Sequence, residues 1–280
     1  MPVPTPTPSS PRSTSEKETF TMNHANLNTN LTATAGILRA IGAASLCTTA
    51  VMAAGLAAAA EWEIDPVRIE LTQSQPTAAI TLKNTSDQPT SMQVEVLAWS
   101  QVDGKDVYTP SRELLVSPPI VTIPPKGEQV IRAALRRPAD ASRELSYRIH
   151  LQELPPAPKP GFMGVNVAMR VGLPVFVESL KGKATPKMVW NVQPMPGNQL
   201  KVSLQNQGTA HVQVTDFSLY LPGGSQAVAS ELGSTYIMAG QSHEWLMAAA
   251  TTEKMVEGRL QLKAFTDAGD VDTQLVLGKP

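Results

Sequence analysis

A strict alternation of apolar residues between positions 163 and 177 constrains this chain more than any other feature. In the stretch MGVNVAMRVGLPVFV every odd position is apolar, and the positions between them are small or polar until Phe176. A period of two indicates a β-strand with one apolar face. At about 3.3 Å per residue the stretch would extend roughly 50 Å, whereas most strands have about 5 or 6 residues. The sequence therefore predicts an unusually long strand whose apolar face must be covered.

The composition indicates an all-β protein. The 24 prolines, 18 glycines and charged fraction of 17% accompany few helix-period runs beyond residue 60, which favours short strands joined by turns. The formal net charge of -1 gives no electrostatic reason to expect nucleic acid or an anionic membrane as a partner. We therefore expect a globular protein rich in β-structure and no nucleic-acid partner.

The first sixty residues are predicted to serve targeting rather than folding. Residues 1–30 form a polar tract, predicted to be a disordered extension, in which Met22 is an alternative start. Residues 31–60 contain an apolar run over 41–56 and small residues at 57–60, which is typical of a cleavable secretory signal. A permanent transmembrane helix is the alternative, but the run is alanine-rich and shorter than the roughly 20 apolar residues that a span needs. We predict export and no stable membrane insertion.

Cysteine usage narrows the chemistry of the mature chain. The only cysteine, Cys47, lies within the predicted signal and follows Leu46, whereas a lipid-modified cysteine would follow a small residue. The mature chain then has no disulfide, no catalytic thiol and no cysteine-bound metal. Its roughly 220 residues suffice for two domains of about 100 residues each, which we place at 61–178 and 179–280.

Both predicted domains have the strand pattern of a β-sandwich. Seven or eight short strands before residue 178 match an immunoglobulin-like sandwich. The second half has six strand candidates separated by turn sequences, so we expect a second, smaller sandwich. Residues 178–185 replace the apolar alternation with charge and glycine, and a hinge there would set the two sandwiches at an angle with a cleft between them. The predicted strands are 64–71, 78–82, 92–99, 114–116, 120–123, 128–135, 145–151, 186–192, 200–204, 212–221, 244–247, 260–265 and 271–277.

Patterns that indicate catalysis are missing from the sequence. His150, His211 and His243 are far apart and lack metal-ligand spacing, and there is neither a GxSxG elbow nor a glycine-rich phosphate loop after a strand. The stretch DAGDVD at 267–272 lacks the spacing and closing glutamate of a calcium loop, so a hairpin turn is the better interpretation. We predict no enzyme activity, no metal and no cofactor.

Five stretches of the first half together resemble a protein family. They are PVRIEL at 66–71, Asn84 within ITLKNTSDQP, VLAW at 96–99, PSRELLVSPPIVTIPPKGEQVIR at 110–132 and ELSYRIHLQELPP at 144–156. In this order and spacing they resemble the PapD-like periplasmic chaperones that assemble pili in the chaperone–usher pathway. LPVFV at 173–177 is similar to the archaic, or spore-coat-type, branch. The resemblance implies two immunoglobulin-like domains, a location in the periplasm, a pilus subunit as partner and delivery of that subunit to an outer-membrane usher.

The resemblance gives the long strand a role. Chaperones of this kind bind a subunit that lacks its last strand by lending a strand of their own, so apolar residues two positions apart would fill the subunit's groove. The candidates are Met163, Val165, Val167, Met169 and Val171, of which Val165, Val167 and Met169 match best. The alternative is a plain interior strand, which the pattern alone favours. Pro174 and the length of the stretch favour an exposed edge instead, and such an edge could also self-associate.

The resemblance also implies an anchor for the subunit's terminal carboxylate. In the family, an arginine of the first strand and a lysine of the long strand bind it. Arg68 matches the arginine, Pro174 stands where the lysine is expected, and Arg170 is the basic residue available to assist. Without the resemblance, Arg68 would be interpreted as an ordinary solvated arginine. Glu144 matches the acidic member of the family's interdomain ion pair, but Glu178 stands where its arginine is expected.

Two other classes of function remain open at this point. An exported structural or adhesive module could have the same two sandwiches, with the long strand paired internally or in a homodimer. An enzyme with a site that resembles no known motif is the third class. We interpret Trp99 and Arg132 as parts of the scaffold, because a tryptophan at the end of a sandwich strand usually belongs to the core.

Overall fold

All regular secondary structure in the described part of the chain is β-strand. The computed structural model describes residues 62–155, 167–250 and 258–278, and residues 59–280 belong to one compact unit. Within these described residues there is no helix long and apolar enough to cross a membrane. The predicted extension, the predicted signal and positions 163–166 lie outside the described residues. The expected all-β fold is confirmed for the part of the chain that the structure describes.

Among the described residues, ten strands form the first sandwich. One sheet has the order β1-β3-β8-β6, and the other has the order β2-β10-β9-β4-β5 with β7 beside β4. Their inward side chains meet in one apolar core, as expected for two packed sheets with alternating strands. The strands are β1 Trp62–Asp65, β2 Ile69–Leu71, β3 Thr77–Asn84, β4 Thr90–Val102, β5 Lys105–Pro110, β6 Leu114–Ser117, β7 Ile120–Ile123, β8 Glu128–Leu135, β9 Leu145–Leu154 and β10 Arg170–Val177.

The strand predicted over 64–71 is in fact two strands in different sheets. β1 pairs with β3, whereas β2 pairs with β10. Pro66 lies directly after β1 and has no N–H group to continue a ladder. The chain therefore crosses from one sheet to the other over residues 66–68, which places Arg68 at the corner where β2 begins.

The long strand is observed only in its C-terminal part. β10 begins at Arg170, whereas the alternation predicts a strand from position 163. It pairs antiparallel with β9 along its whole length, but parallel with β2 only from Val175 to Val177. Leu173, Val175 and Val177 lie in the core of the first sandwich. The edge of β10 before Val175 has no partner strand among the described residues.

Seven strands form the second sandwich around its own core. Its sheets have the orders β11-β12-β15 and β14-β13-β16-β17. The sequence predictions missed β14, whose sequence AVASELGSTYI is rich in small and polar residues and whose pairing with β13 is interrupted by bulges; they also missed β5. The strands are β11 Met188–Met195, β12 Gln199–Asn206, β13 Val212–Tyr220, β14 Ala227–Ile237, β15 Ser242–Ala248, β16 Arg259–Thr266 and β17 Val271–Val276.

Each sandwich contains a buried asparagine whose side chain hydrogen-bonds to the backbone. Asn84 and Asn206 are both fully buried. The Nδ2 of Asn84 donates to the carbonyl oxygens of Gln88, at 2.7 Å, and Ile123, at 3.2 Å. The Nδ2 of Asn206 likewise donates to two carbonyl oxygens, at 2.7 and 3.0 Å. Because a buried amide is costly unless it is hydrogen-bonded, each asparagine fixes the turn that follows its strand.

Candidate functional site

The N-terminal end of the long strand presents apolar side chains to solvent. Val167 is 79% exposed and Met169 is 38% exposed. The backbone here still follows β9, since the N–H of Glu153 donates to the Met169 carbonyl at 2.9 Å. Val171, by contrast, is half-buried and packs against the core of the first sandwich. Two members of the predicted apolar row are therefore accessible, and a third already contacts its own domain; Met163 and Val165 lie outside the described residues.

Arg68 lies at the sheet corner with its guanidinium directed towards the second sandwich. Its Nη1 donates to Oδ2 of Asp267 at 2.7 Å, and its Nη2 lies 3.1 Å from Glu70. The guanidinium also stands over the ring of Phe176, 5.1 Å from the centroid. Burial lowers the pKa of Arg68, but the hydrogen bond and charge of Asp267 outweigh it and the pKa is raised. Arg68 is therefore a positioned cation rather than a freely solvated side chain.

His211 of the second sandwich contacts two carboxylates, Glu144 of the first sandwich and Asp267 of its own. Its Nδ1–H donates to Oε1 of Glu144 at 2.6 Å, and its Nε2 lies 3.2 Å from Oδ2 of Asp267 and 3.0 Å from Nη2 of Arg68. The ring stacks on Phe176 with a centroid separation of 3.5 Å and an interplanar angle of 10°. The predicted acidic partner Glu144 thus pairs across the sandwiches with a histidine, where the family resemblance implies an arginine.

This network shifts the pKa of its members. Burial lowers the pKa of His211, but the hydrogen bonds and charges of Asp267 and Glu144 outweigh burial and raise it. For Asp267 burial acts to raise the pKa, yet the hydrogen bonds from His211, the Gln213 backbone and Arg68 bring it down to about 2. The arrangement therefore favours a charged Asp267 and stabilises the protonated imidazole.

A second contact between the sandwiches is aromatic. Trp99 is 4% exposed and packs with Phe176 and Met238 in a small cluster. Its ring meets Tyr236 of the second sandwich edge-on at 5.1 Å. Beside this cluster the side chain of Gln101 donates to the Tyr236 carbonyl at 2.8 Å and accepts from the Met238 N–H at 2.9 Å. Trp99 thus contributes to the join between the sandwiches as well as to the first of them.

The structure does not bring Arg170 to Arg68. Arg170 donates to Glu95 at 2.8 Å and contacts His150 at 2.5 Å, at the start of β10. Arg68 precedes Ile69, which is opposite Val175, so Arg68 lies level with Pro174. Arg170 lies four residues before Pro174 along β10, a distance of about 13 Å. Arg170 is thus paired with Glu95 at a different level of the strand from Arg68.

A different arginine lies near Arg68, and the sequence predictions did not single it out. Arg148 is opposite Pro174 on β9, and its guanidinium stands over Trp99, 4.0 Å from the ring centroid. The even positions of β9 share one face of the strand, and this alternation is the signal that could have indicated it. The proximity of Arg148 to Arg68 and to Tyr236 could not be inferred without the pairing register of β10 with β2 and β9.

An open cavity of about 580 Å³ lies beside the His211 network. Its walls include Arg68, Phe176, His211 and Asp267 from the network, together with Lys183 from the segment that joins the sandwiches. The described residues contain no group of histidine and acidic side chains arranged to hold a metal ion. Charged and aromatic side chains thus line this cavity.

Comparisons with known proteins agree with this architecture. Residues 61–179 match the family model for the N-terminal domain of PapD, described as a pili and flagellar-assembly chaperone. A search of curated protein sequences found no match. Among solved structures, a chain in the CsuC–CsuE chaperone–tip adhesion subunit pre-assembly complex from archaic Csu pili of Acinetobacter baumannii is similar, with 20% identity, a TM-score of 0.56, and coverage of 79% of this chain and 100% of that chain.

Two further structures show the same fold. A chain in the complex of the SafA pilin with the SafB chaperone of Salmonella enterica has 17% identity and a TM-score of 0.53, covering 79% of this chain and 99% of that chain. The chaperone DraB of E. coli has 22% identity and a TM-score of 0.51, covering 78% of this chain and 96% of that chain. At these low identities the solved structures show only that the two-sandwich fold is similar. The family model matches the first sandwich. Residues 61–179, the first sandwich, thus match the PapD-like family of pili and flagellar-assembly chaperones.

Proposed function

We propose that this protein is a periplasmic chaperone that binds a pilus subunit by donor-strand complementation. The observation that carries the proposal is the edge of β10, unpaired among the described residues, together with the exposed Val167 and Met169 that continue its alternation. Met163 and Val165 extend the same row in the sequence. The likeness in fold to chains from chaperone–subunit and chaperone–pilin complexes supports this assignment.

The proposed interaction follows from what an incomplete sandwich lacks. A subunit without its last strand exposes an apolar groove and two strand edges, which would lead to aggregation. A lent strand supplies main-chain hydrogen bonds and side chains at every second position. Each buried side chain contributes about 1.5 to 3 kcal/mol before ordering costs. Val171 should contribute less than Val167 and Met169, because it already packs against its own core.

We assign to Arg68 the role of anchor for the subunit's terminal carboxylate. β2 occupies the edge of β10 only at residues 175–177, so a strand added before that point lies in line with β2. If the added strand runs parallel to β10, its carboxyl end faces Arg68, whose planar fork suits a carboxylate. Its Nη1 and Nη2 already contact carboxylates, Asp267 and Glu70, so the guanidinium is oriented for such a partner.

The remaining parts of the proposal concern transport. Residues 31–60 would direct export and be removed, the domains would span 61–178 and 179–280, and the captured subunit would pass to an outer-membrane usher. Release needs no nucleotide or metal, since the strand of the next subunit can displace the lent strand. Support for these steps comes from the sequence of the N-terminal region and from the family.

The test is co-expression of the full-length chain with subunit-like proteins encoded beside its gene. We expect a soluble one-to-one complex in the periplasm, which Val167→Asp abolishes because a charge enters an apolar groove. Val276→Asp is the matched control, since Val276 is 71% exposed at the edge strand of the second sandwich. Failure of the unaltered chain to solubilise any such subunit would refute the chaperone assignment. A free homodimer paired through β10 would favour the structural or adhesive alternative.

A further inference from the structure

Two arginines flank Pro174 on adjacent strands of one sheet. Arg148 is directly opposite Pro174 on β9. On the other side of β10, Arg68 precedes Ile69, which is opposite Val175. The backbones of β2 and β9 are two strand spacings apart, about 9.5 Å. Two arginine side chains can close that gap and meet at one carboxylate lying over β10.

Arg148 is held in place without being neutralised. Its guanidinium stacks over Trp99 at 4.0 Å and lies near Tyr108 and Tyr236, 6.0 and 5.9 Å from their ring centroids. Its Nη1 reaches across to the Gly172 carbonyl at 3.4 Å. In the described part of the chain, Arg148 forms no ion pair with a carboxylate. An aromatic cage thus presents a half-buried cation that has no acidic partner.

Arg68 and Arg148 both lie near Tyr236 of the second sandwich. Burial raises the pKa of the Tyr236 hydroxyl, and the charges of Arg68 and Arg148 act in the opposite direction. The ring of Tyr236 also packs against Trp99 and Phe176, the aromatic residues on which the two guanidinium groups rest. An anion placed beside this hydroxyl would therefore be close to both arginines.

Gly172 leaves space beside the side chain of Arg148 on this face of the sheet. A Cβ atom at position 172 would lie 3.3 Å from Cδ of Arg148 and 3.1 Å from Cδ2 of His150. Both distances are shorter than ordinary carbon contacts, so a side chain at this position would displace Arg148. Pro174, the next residue on the same face, also carries no long side chain that could enter this space.

From these contacts we infer that Arg148, together with Arg68, binds the terminal carboxylate of the subunit. The second cation comes from β9, where Arg148 is opposite Pro174, instead of rising from β10 itself as a lysine would. This inference rests on the proposed function and gives its carboxylate site a second residue. It also accounts for the position of Arg170, which pairs with Glu95 and lies outside this site.

The test compares Arg148→Ala, Arg148→Lys and Arg170→Ala in the full-length chain, co-expressed with the subunit. We expect Arg148→Ala to reduce the recovered complex at least about tenfold, which corresponds to about 1.4 kcal/mol. Arg148→Lys should give an intermediate yield, because it keeps the charge but loses the planar fork. Arg170→Ala, the matched arginine on the same face, should stay within about twofold, as expected for an exposed ion pair.

A subunit extended by a short Gly-Ser tail identifies the carboxylate as the ligand. The tail moves the terminal carboxylate away from the cleft, so the unaltered chaperone should bind the extended subunit more weakly, and Arg148→Ala should cause no further loss. An unchanged yield for Arg148→Ala with the native subunit would overturn the inference while leaving the chaperone function intact. No complex with the unaltered chain would instead refute the function itself.

A binding measurement on the unaltered chaperone covers the case in which Arg148→Ala does not fold. The probe is a synthetic peptide of the subunit's last strand, prepared as the free acid and as the terminal amide. We expect the free acid to shift the side-chain Nε–H resonances of both Arg68 and Arg148, and the amide to shift neither. A shift confined to Arg68 would overturn the role of Arg148.

Discussion

The two ends of the alternating segment differ in what covers their apolar side chains. At the C-terminal end Leu173, Val175 and Val177 are almost completely buried in the core of the first sandwich. At the N-terminal end Val167 and Met169 belong to the same alternation but face solvent. The period of two therefore identifies a face, whereas the neighbouring strands decide whether that face belongs to a core or to a partner.

The difference arises where the neighbouring strand stops. β9 accompanies β10 over its whole length, but β2 pairs with only its last three residues. Beyond that point one row of N–H and C=O groups on β10 is left without a strand partner among the described residues. Such an edge can accept another strand, so the segment that forms core at one end offers, in the proposed function, a binding surface at the other.

The largest expected effect concerns stability. Leu173→Ala should lower the free energy of unfolding by about 2 to 5 kcal/mol, because it leaves a cavity in the core. Val167→Ala should change it by no more than about 0.5 kcal/mol, as is usual for an exposed residue. Urea unfolding of both variants provides the measurement. Equal losses of stability would show that the two ends are not distinct.

The next effect concerns subunit capture, which should depend on the exposed N-terminal end of the segment. A double change, Val167→Ala with Met169→Ala, should weaken the complex at least about tenfold, since each side chain contributes about 1.5 to 3 kcal/mol when buried. The thermal stability of the free chaperone should stay unchanged. Affinity can be measured by competition with the unaltered chaperone for one subunit. Unchanged affinity would exclude the N-terminal end as the binding surface.

A smaller effect concerns pH and the C-terminal end, where Phe176 stacks on His211. Because the pKa of folded His211 is raised above its ordinary value of about 6.5, its stabilising contribution is complete below that value and is lost as pH rises through the raised pKa. The groups facing it are Glu144, Asp267 and Arg68, and Asp267 stays charged throughout this range. We expect stability, measured by urea unfolding at each pH, to fall between pH 6.5 and 8.5.

The control for this prediction is His211→Phe, which keeps an aromatic ring on Phe176 but cannot titrate. Its stability should be lower at pH 6.5 and should vary less between pH 6.5 and 8.5. Burial and the charge of Arg170 lower the pKa of His150, so His150 titrates below this window. An equally steep decline in the variant would assign the pH dependence to another group.

The smallest effect is expected at Gly172, which separates the two ends. Gly172→Ala should cost about 1 kcal/mol or less in stability, because two side chains must move by a few tenths of an ångström. Subunit capture should fall a few-fold, since Arg148 is one of the side chains that move. Urea unfolding and complex yield are measured together. A loss of stability without any loss of capture would separate Gly172 from the binding site.

Most of the fold could be predicted from the sequence because alternation is local. β8 was predicted with its observed bounds, and every other predicted strand overlaps an observed one. β14 escaped prediction because serine and glycine interrupt its apolar pattern. The candidate site was harder to predict, since the pairing of Glu144 with His211 and the row from Arg68 to Arg148 join residues far apart in sequence. Only the register of β10 with β2 and β9 brings them together.

The contact between Arg68 and Asp267 has a consequence for the strength of capture. Asp267 Oδ2 lies 2.7 Å from Arg68, so in the empty chaperone an internal carboxylate already occupies part of the guanidinium. In the proposed function, an incoming terminal carboxylate would compete with Asp267, so the affinity gained would be the difference between two similar interactions. Such a resident competitor would help a chaperone to release its subunit without an energy source.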